Sequence, residues 1–259
     1  MKRLNRRYRD RLGIPHDTAI TMDNLKDVLE KAAKTIPFEN LAIIENRVNH
    51  ITKENVMRKI IAQNEGGLCY ELNAIFYFFL TENGFQAKLV RAMTFENSTK
   101  QWRHSTGKTH VMNIIEHNGQ LYIADVGFGA NSPLTMVPLT GETVTSNNGQ
   151  FKVKRMDTEY GDAIFYMKLK HKDTDWKIGY AFDSQKAING LRELDEIQHI
   201  IAEHPESGFN KRPLITKFTD QGTMTLTDTS FTEWTDGKVK KKEIDHPLFH
   251  ELKKRHFNL

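Results

Sequence analysis

Asn83-Gly84 divides this chain into two regimes of hydrophobic spacing. Upstream, apolar residues recur three and four positions apart, the period of an amphipathic helix. Leu25, Val28, Leu29 and Ala32 form one stripe, with Thr21 as its expected N-cap and Pro37 as its stop. Val56, Met57, Ile60 and Ile61 form a second after a Thr52 cap, closed by Gly66-Gly67. A third helix is expected to start near Cys69 and turn Leu72, Ile75, Phe76, Phe79 and Leu80 inward. It ends at Asn83-Gly84, as helices commonly end in glycine. Downstream the period falls to two. Phe85, Ala87 and Leu89 alternate, and two β-type runs, residues 110–116 and 120–126, are joined by Asn118-Gly119, a strong hairpin signal. Further strands are expected at 151–155, 163–171 and 176–182, which makes the middle third a sheet or barrel. The helical period returns over 191–202. Late strands follow at 215–218, 224–226 and 239–242, then a closing helix over 246–256. Helices, then strands, then a mixed tail predict a segregated α+β fold, not an alternating βαβ one.

Size and composition fit that reading. At about 150 residues per domain, 259 residues make a little under two domains. Hydrophobic residues at 38% supply a sizeable core, and 27% charged residues exclude wholesale disorder. The longest purely apolar run, Ile75 to Leu80, is far too short to span a bilayer. The basic start MKRLNRRYRDR leads into no apolar stretch, so no secretory signal is expected there. One cysteine cannot make an internal disulfide, and a lone thiol suits a reducing, cytoplasmic setting. Net charge is +4. Five Arg and one Lys crowd the first eleven residues, and four Lys sit between Lys238 and Lys242. Both runs read as solvated faces. With no interleaved aromatics, they favour at most anionic ligands, and neither a nucleic-acid nor a membrane partner is expected.

The thiol carries the most chemistry. Cys69 follows Gly66-Gly67-Leu68, where two glycines let the backbone turn sharply and leave room for a substrate. At a helix N-terminus the positive end of the dipole favours the thiolate. Such a nucleophile needs a base and a group to orient the base. The hairpin supplies both by arithmetic: with a two-residue turn at Asn118-Gly119, His117 pairs with Gln120 and Met112 faces Asp125. His110, two residues from Met112, then projects from the same face as Asp125 and is its diagonal neighbour. The rest of that face is apolar, and a lone buried carboxylate is costly, so the two side chains are expected to bond. Cys69, His110 and Asp125 thus read as a cysteine-protease-like Cys-His-Asp triad. The spacings HExxH, CxxC, GxGxxG and GxxxxGK[ST] are absent, so no metal is expected.

Four stretches resemble the arylamine N-acetyltransferases: IPFENL (Ile36–Leu41), GGLCYELN (Gly66–Asn73), THVMNII (Thr109–Ile115) and LYIADVGFG (Leu121–Gly129). Without the mid-chain insertion of vertebrate members, the chain is similar to the bacterial type. The resemblance implies an N-terminal helical bundle (1–84) carrying the nucleophile, a central β-barrel (85–189) carrying base and carboxylate, and a C-terminal α/β lid (190–259). It implies ping-pong transfer from acetyl-CoA, through an acetyl-cysteine, to an arylamine, hydrazine or arylhydroxylamine. Carried over by position, Cys69 is the nucleophile, His110 the base and Asp125 its orienting partner. Phe38 and Phe128 would line the acceptor pocket. Gly127, Phe128 and Gly129, with Thr106 and Gly107, would lie along the CoA. One departure stands out: the family usually has Arg before the Gly-Gly pair, and here it is Glu65. That carboxylate either opposes the field at the helix start or pairs with an arginine. A thiol hydrolase or transglutaminase-like enzyme would use the same triad with a different acceptor, and a non-catalytic binding module would keep the cluster inert. IPFENL and DVGFG favour the transferase.

Overall fold

The computed structural model describes residues 2–259. Its first third holds α1 (Arg3–Leu12), α2 (Leu25–Thr35), the short strand β1 (Phe38–Glu39), the single turn α3 (Leu41–Ile44), α4 (Lys53–Val56) and α5 (Cys69–Glu82). α4 runs on into a π-helical turn over Met57–Ala62. Thr52 caps it as expected, its hydroxyl accepting from the Asn55 N–H at 3.1 Å. The expected Thr21 cap does not form. α2 starts three residues later, behind Asn24, whose side chain instead accepts from the Thr21 N–H at 2.9 Å.

α1 shows that the basic N-terminal run is a solvated face along most of its length but also carries a buried stripe. Arg3, Arg6, Arg7 and Asp10 are exposed, but Leu4, Tyr8 and Leu12, spaced four apart, are buried. Arg9 is buried with them, since its guanidinium finds Asn5, Asn83 and the Pro15 and Thr18 carbonyls at 2.7–3.0 Å. The Tyr8 ring sits 4.9 Å from that of Phe79 on α5. α5 is the central helix, apolar almost all round and buried accordingly.

The larger sheet comprises β2 (Gln86–Glu96), β3 (Gln101–Trp102), β4 (His110–His117), β5 (Gln120–Ala124), β6 (Val137–Pro138), β7 (Val144–Ser146), β8 (Gly149–Thr158), β9 (Gly161–Leu169) and β10 (Lys177–Ala187). Its antiparallel order is β6-β5-β4-β2-β10-β9-β8-β7, with β3 on β2, and it curls until β6 lies beside β8, a nearly closed barrel. β4 and β5 pair in the expected register, His117 opposite Gln120 and Ile114 opposite Ile123. β4 is apolar on both faces, because both are covered. Met112 and Ile114 point into the barrel, while Val111 and Ile115 pack with the helices.

After β10 comes α6 (Arg192–Glu203), whose Leu194, Ile197 and Ile201 join the apolar cluster of the N-terminal helices. A second antiparallel sheet runs β1-β11-β12-β13-β14, with β11 (Leu214–Phe218), β12 (Gly222–Thr227), β13 (Ser230–Thr235) and β14 (Lys238–Glu243). β13 and the two-residue β1 have no counterpart among the strands expected from sequence. β14, carrying the lysine run, is an exposed edge, a charge placement that discourages strand addition. The chain closes with α7 (His246–Leu252) against the small sheet. Among the described residues no helix is long and apolar enough to cross a membrane.

Candidate active site

The bend before α5 is dictated by what surrounds it. A Cβ on Gly66 would lie 2.0 Å from the Pro37 carbonyl oxygen, and one on Gly67 would lie 2.8 Å from the Glu71 carboxylate. Glycine is therefore required at both positions. Leu68 caps the helix, its N–H donating to Glu71 at 3.0 Å, and Cys69 follows as the first helical residue. Glu65 points away from this bend toward Arg47, 3.4 Å distant, so the arginine pairing is the one that forms.

Cys69 is buried, its sulfur 3.5 Å from the Thr109 carbonyl and near enough to the His110 ring to help raise that ring's pKa. On the ring's other side, His110 Nε2 lies 2.8 Å from Asp125 Oδ2, which leaves Nδ1 for the sulfur. The ring packs against both Phe128 and Tyr180, at centroid distances of 4.9 and 4.8 Å, and those two rings touch each other at 5.1 Å. Burial alone would lower the His110 pKa. The charge and hydrogen bond of Asp125, followed by contact with Cys69, more than reverse this and push it up to about 10.

Asp125 lies just past the end of β5 and is 1% exposed, yet it is fully satisfied. Besides His110, Oδ2 accepts from the Tyr180 hydroxyl at 3.2 Å. Oδ1 accepts from Asn73 Nδ2 at 3.0 Å and from the Gly127 N–H at 2.8 Å. Burial, reinforced by the Asp125 charge, holds the Tyr180 hydroxyl well above its ordinary pKa, so it remains a donor. Asn73 and Tyr180 were not singled out from the sequence. Asn73 was legible in principle, one helical turn after Cys69 on the same face. Tyr180 carries no local signal.

Cys69 and His110 open onto a cavity of about 530 Å³. Of the residues expected there, Phe38, Thr106, Gly127, Phe128 and Gly129 line it; Gly107 does not, and Asp125 stands behind His110. Phe209, also unforeseen, adds an aromatic wall with its ring edge-on to Phe38 at 5.7 Å. Gly129 has a φ of +57°, and a Cβ there would touch the Phe38 ring at 3.4 Å. Arg103 and Glu206 bring charge to the lining.

The N-acetyltransferase family profile matches residues 21–259. This chain belongs to the arylamine N-acetyltransferase family. It is an acetyltransferase, 36% identical to the uncharacterised acetyltransferase YvcN of Bacillus subtilis over 92% of this chain and 91% of that protein. It is similar to the crystal structure of arylamine N-acetyltransferase C from Bacillus anthracis. The TM-score is 0.94 and the identity 34%, covering 100% of this chain and 99% of the other. The same values hold for an arylamine N-acetyltransferase from Bacillus cereus, described as having a unique Cys-His-Glu catalytic triad. In this family member the carboxylate facing the histidine is the shorter Asp125.

Proposed function

We propose that this acetyltransferase moves an acetyl group from acetyl-CoA to arylamines, hydrazines or arylhydroxylamines by a ping-pong mechanism. In this reading Cys69 is the nucleophile, His110 the base and Asp125 its anchor. The observation that carries it is the His110 ring, hydrogen-bonded to a buried carboxylate, beside the only thiol at the wall of a largely apolar cavity. A cavity of about 530 Å³ is of a size that holds a small ligand. Gly127 leaves the start of α5 at Cys69 uncovered, Gly129 leaves the Phe38 ring uncovered, and Thr106 adds a hydroxyl to the lining. These features fit the pantetheine end of acetyl-CoA, which supplies an activated acyl thioester.

In the reactive form the Cys69 proton already rests on His110 as an imidazolium held by Asp125. The thiolate attacks the acyl carbon, the thioester C–S bond breaks, and His110 gives its proton to the departing CoA sulfur. In the second half, the acceptor amine attacks the acetyl-cysteine and the C–S bond breaks. The proton lost by the amine is taken by His110, neutral after the first half-reaction, which restores the imidazolium beside the Cys69 thiolate. Phe38, Phe128 and Phe209 hold a flat ring without a specific hydrogen-bond code, which suits a broad range of acceptors. The division into helical, barrel and lid domains at residues 84 and 189 belongs to the same proposal, as does a reducing, cytoplasmic setting for the single thiol.

Incubation with acetyl-CoA alone followed by intact-mass measurement tests the proposal. One acetyl group should appear on the wild type and none on Cys69→Ala, which should keep the same circular dichroism. A wild type that gains no acetyl, or a Cys69→Ala variant that still turns over, would overturn it.

A further inference from the structure

Beneath the Gly66-Gly67 bend lies a group of buried charges that the mechanism above does not use. Glu39 is 1% exposed, and Glu71 is also buried. The Lys59 side chain, 13% exposed, stands between them, with Nζ 2.7 Å from Glu71 Oε1 and 3.6 Å from Glu39 Oε1. Each carboxylate spends its other oxygen on the backbone. Glu71 Oε2 accepts from the Leu68 N–H at 3.0 Å, and Glu39 Oε2 accepts from the Leu41 N–H at 2.5 Å. Glu39 Oε1 has no hydrogen-bond partner, so the Lys59 ammonium is what compensates it. A buried carboxylate without compensation is costly, and two that share one ammonium are tied to its position.

The two carboxylates belong to the two segments that frame the sulfur. Glu71 caps the helix that begins with Cys69. Glu39 follows Phe38, and its N–H donates to the Gly67 carbonyl at 3.0 Å. The Gly67 N–H returns a bond to the Pro37 carbonyl at 3.3 Å, so β1 and the bend are laced together.

We propose that Lys59 is a positioning residue for Cys69. By holding Glu71 and Glu39 at once, it fixes the start of α5 against β1, and with it the distance from the sulfur to His110 and to the Phe38 wall. This rests on Cys69 being the nucleophile. Lys59 touches no substrate.

The test compares Lys59→Met and Lys59→Arg with the wild type, reading iodoacetamide alkylation of Cys69 against pH and steady-state kinetics. Lys59→Met should slow alkylation by about tenfold to a hundredfold, the scale of a displaced reactive group. It should also move the pH–rate profile of the Cys69–His110 pair to more alkaline pH, and lower kcat while changing the acetyl-CoA KM by no more than about twofold. Lys59→Arg should restore the wild-type profile. A Lys59→Met protein with wild-type alkylation and kcat would overturn the proposal. If Lys59→Met does not fold, the double variant Lys59→Met with Glu39→Gln removes the charge on Glu39, whose Oε1 has no other partner, and should show the same displaced profile. Wild-type alkylation in the double variant, or failure of that variant to fold as well, would reduce Lys59 to a folding role and also overturn the proposal. Alkylation needs no acetyl donor, so a wild type that is not acetylated sinks the proposed function without deciding this question.

Discussion

Gly127 passes so close to Cys69 that a Cβ on it would lie 2.7 Å from the Cys69 Cα and 2.5 Å from the Asn73 amide nitrogen. The turn after β5 is thus wedged against the first turn of α5, and its N–H donates to Asp125 from there. Gly127→Ala is expected to force these segments apart. The overpacking should cost about 1–3 kcal/mol, and acetylation of Cys69 should slow by about a hundredfold, the effect of a misplacement near 1 Å. Thermal melts and timed intact-mass measurements check both. An alanine variant acetylated at the wild-type rate would show that the wedge does not set the sulfur's position.

Asn73 joins the nucleophile's helix to the carboxylate. Its Nδ2 donates to Asp125 at 3.0 Å and to the Val111 carbonyl at 2.9 Å, and its Oδ1 accepts from Asn113 and the Val126 N–H. Asn73→Ala leaves several of these groups buried without partners, at about 1–3 kcal/mol for each unsatisfied group. Urea denaturation should show a clear loss of stability, and kcat should fall roughly tenfold or more. Asn73→Ser, which keeps one donor and acceptor, should recover part of both. No change in kcat would remove Asn73 from the orientation of Asp125.

The pairing of His110 with Asp125 was legible because a two-residue Asn-Gly turn leaves one register, and parity along two short strands does the rest. The Cys69 helix start was legible from Gly66-Gly67 and the apolar stripe behind it. α1 was hidden because its Leu4, Tyr8 and Leu12 stripe is diluted by five arginines, one of them buried. Asn24 displaced Thr21 as the start of α2 because its side chain folds back to accept from the Thr21 N–H and donate to the Ala19 carbonyl, closing a turn where the helix was expected to begin. Tyr180 and Phe209 reach the site from strands and loops far along the chain, and only the closed packing of the barrel and α6 brings them there. Lys59 carries no signal in the sequence; its burial depends on Glu39 and Glu71 arriving from two other segments.

The raised pKa of His110 sets a window for pH-dependent stability. Its folded value is about 10 against an ordinary 6.5. A group raised on folding contributes stability that is fully present below the unfolded value and lost as pH climbs through the folded one. Denaturant midpoints should therefore decline as pH rises from about 6.5 to about 10. His110→Gln, which keeps a donor for Asp125 without a titrating ring, should decline less steeply over the same window. Equal slopes for the two proteins would mean that the imidazolium is not held by Asp125 in the folded state.

Phe209 closes the aromatic side of the cavity against Phe38, edge-on at 5.7 Å, while Cys69 and His110 form the reactive side. If flat acceptors are held there by apolar contact, removing one wall should weaken acceptor binding and spare the first half-reaction. Phe209→Ala is expected to raise the KM for an arylamine by about tenfold, equivalent to about 1.4 kcal/mol of lost contact. The single-turnover rate of Cys69 acetylation by acetyl-CoA should stay within about twofold of wild type, since that step does not use the acceptor wall. Phe209→Leu, which refills much of the volume, should recover most of the KM. A variant that loses acetylation of Cys69 along with acceptor binding would instead place Phe209 on the donor's path.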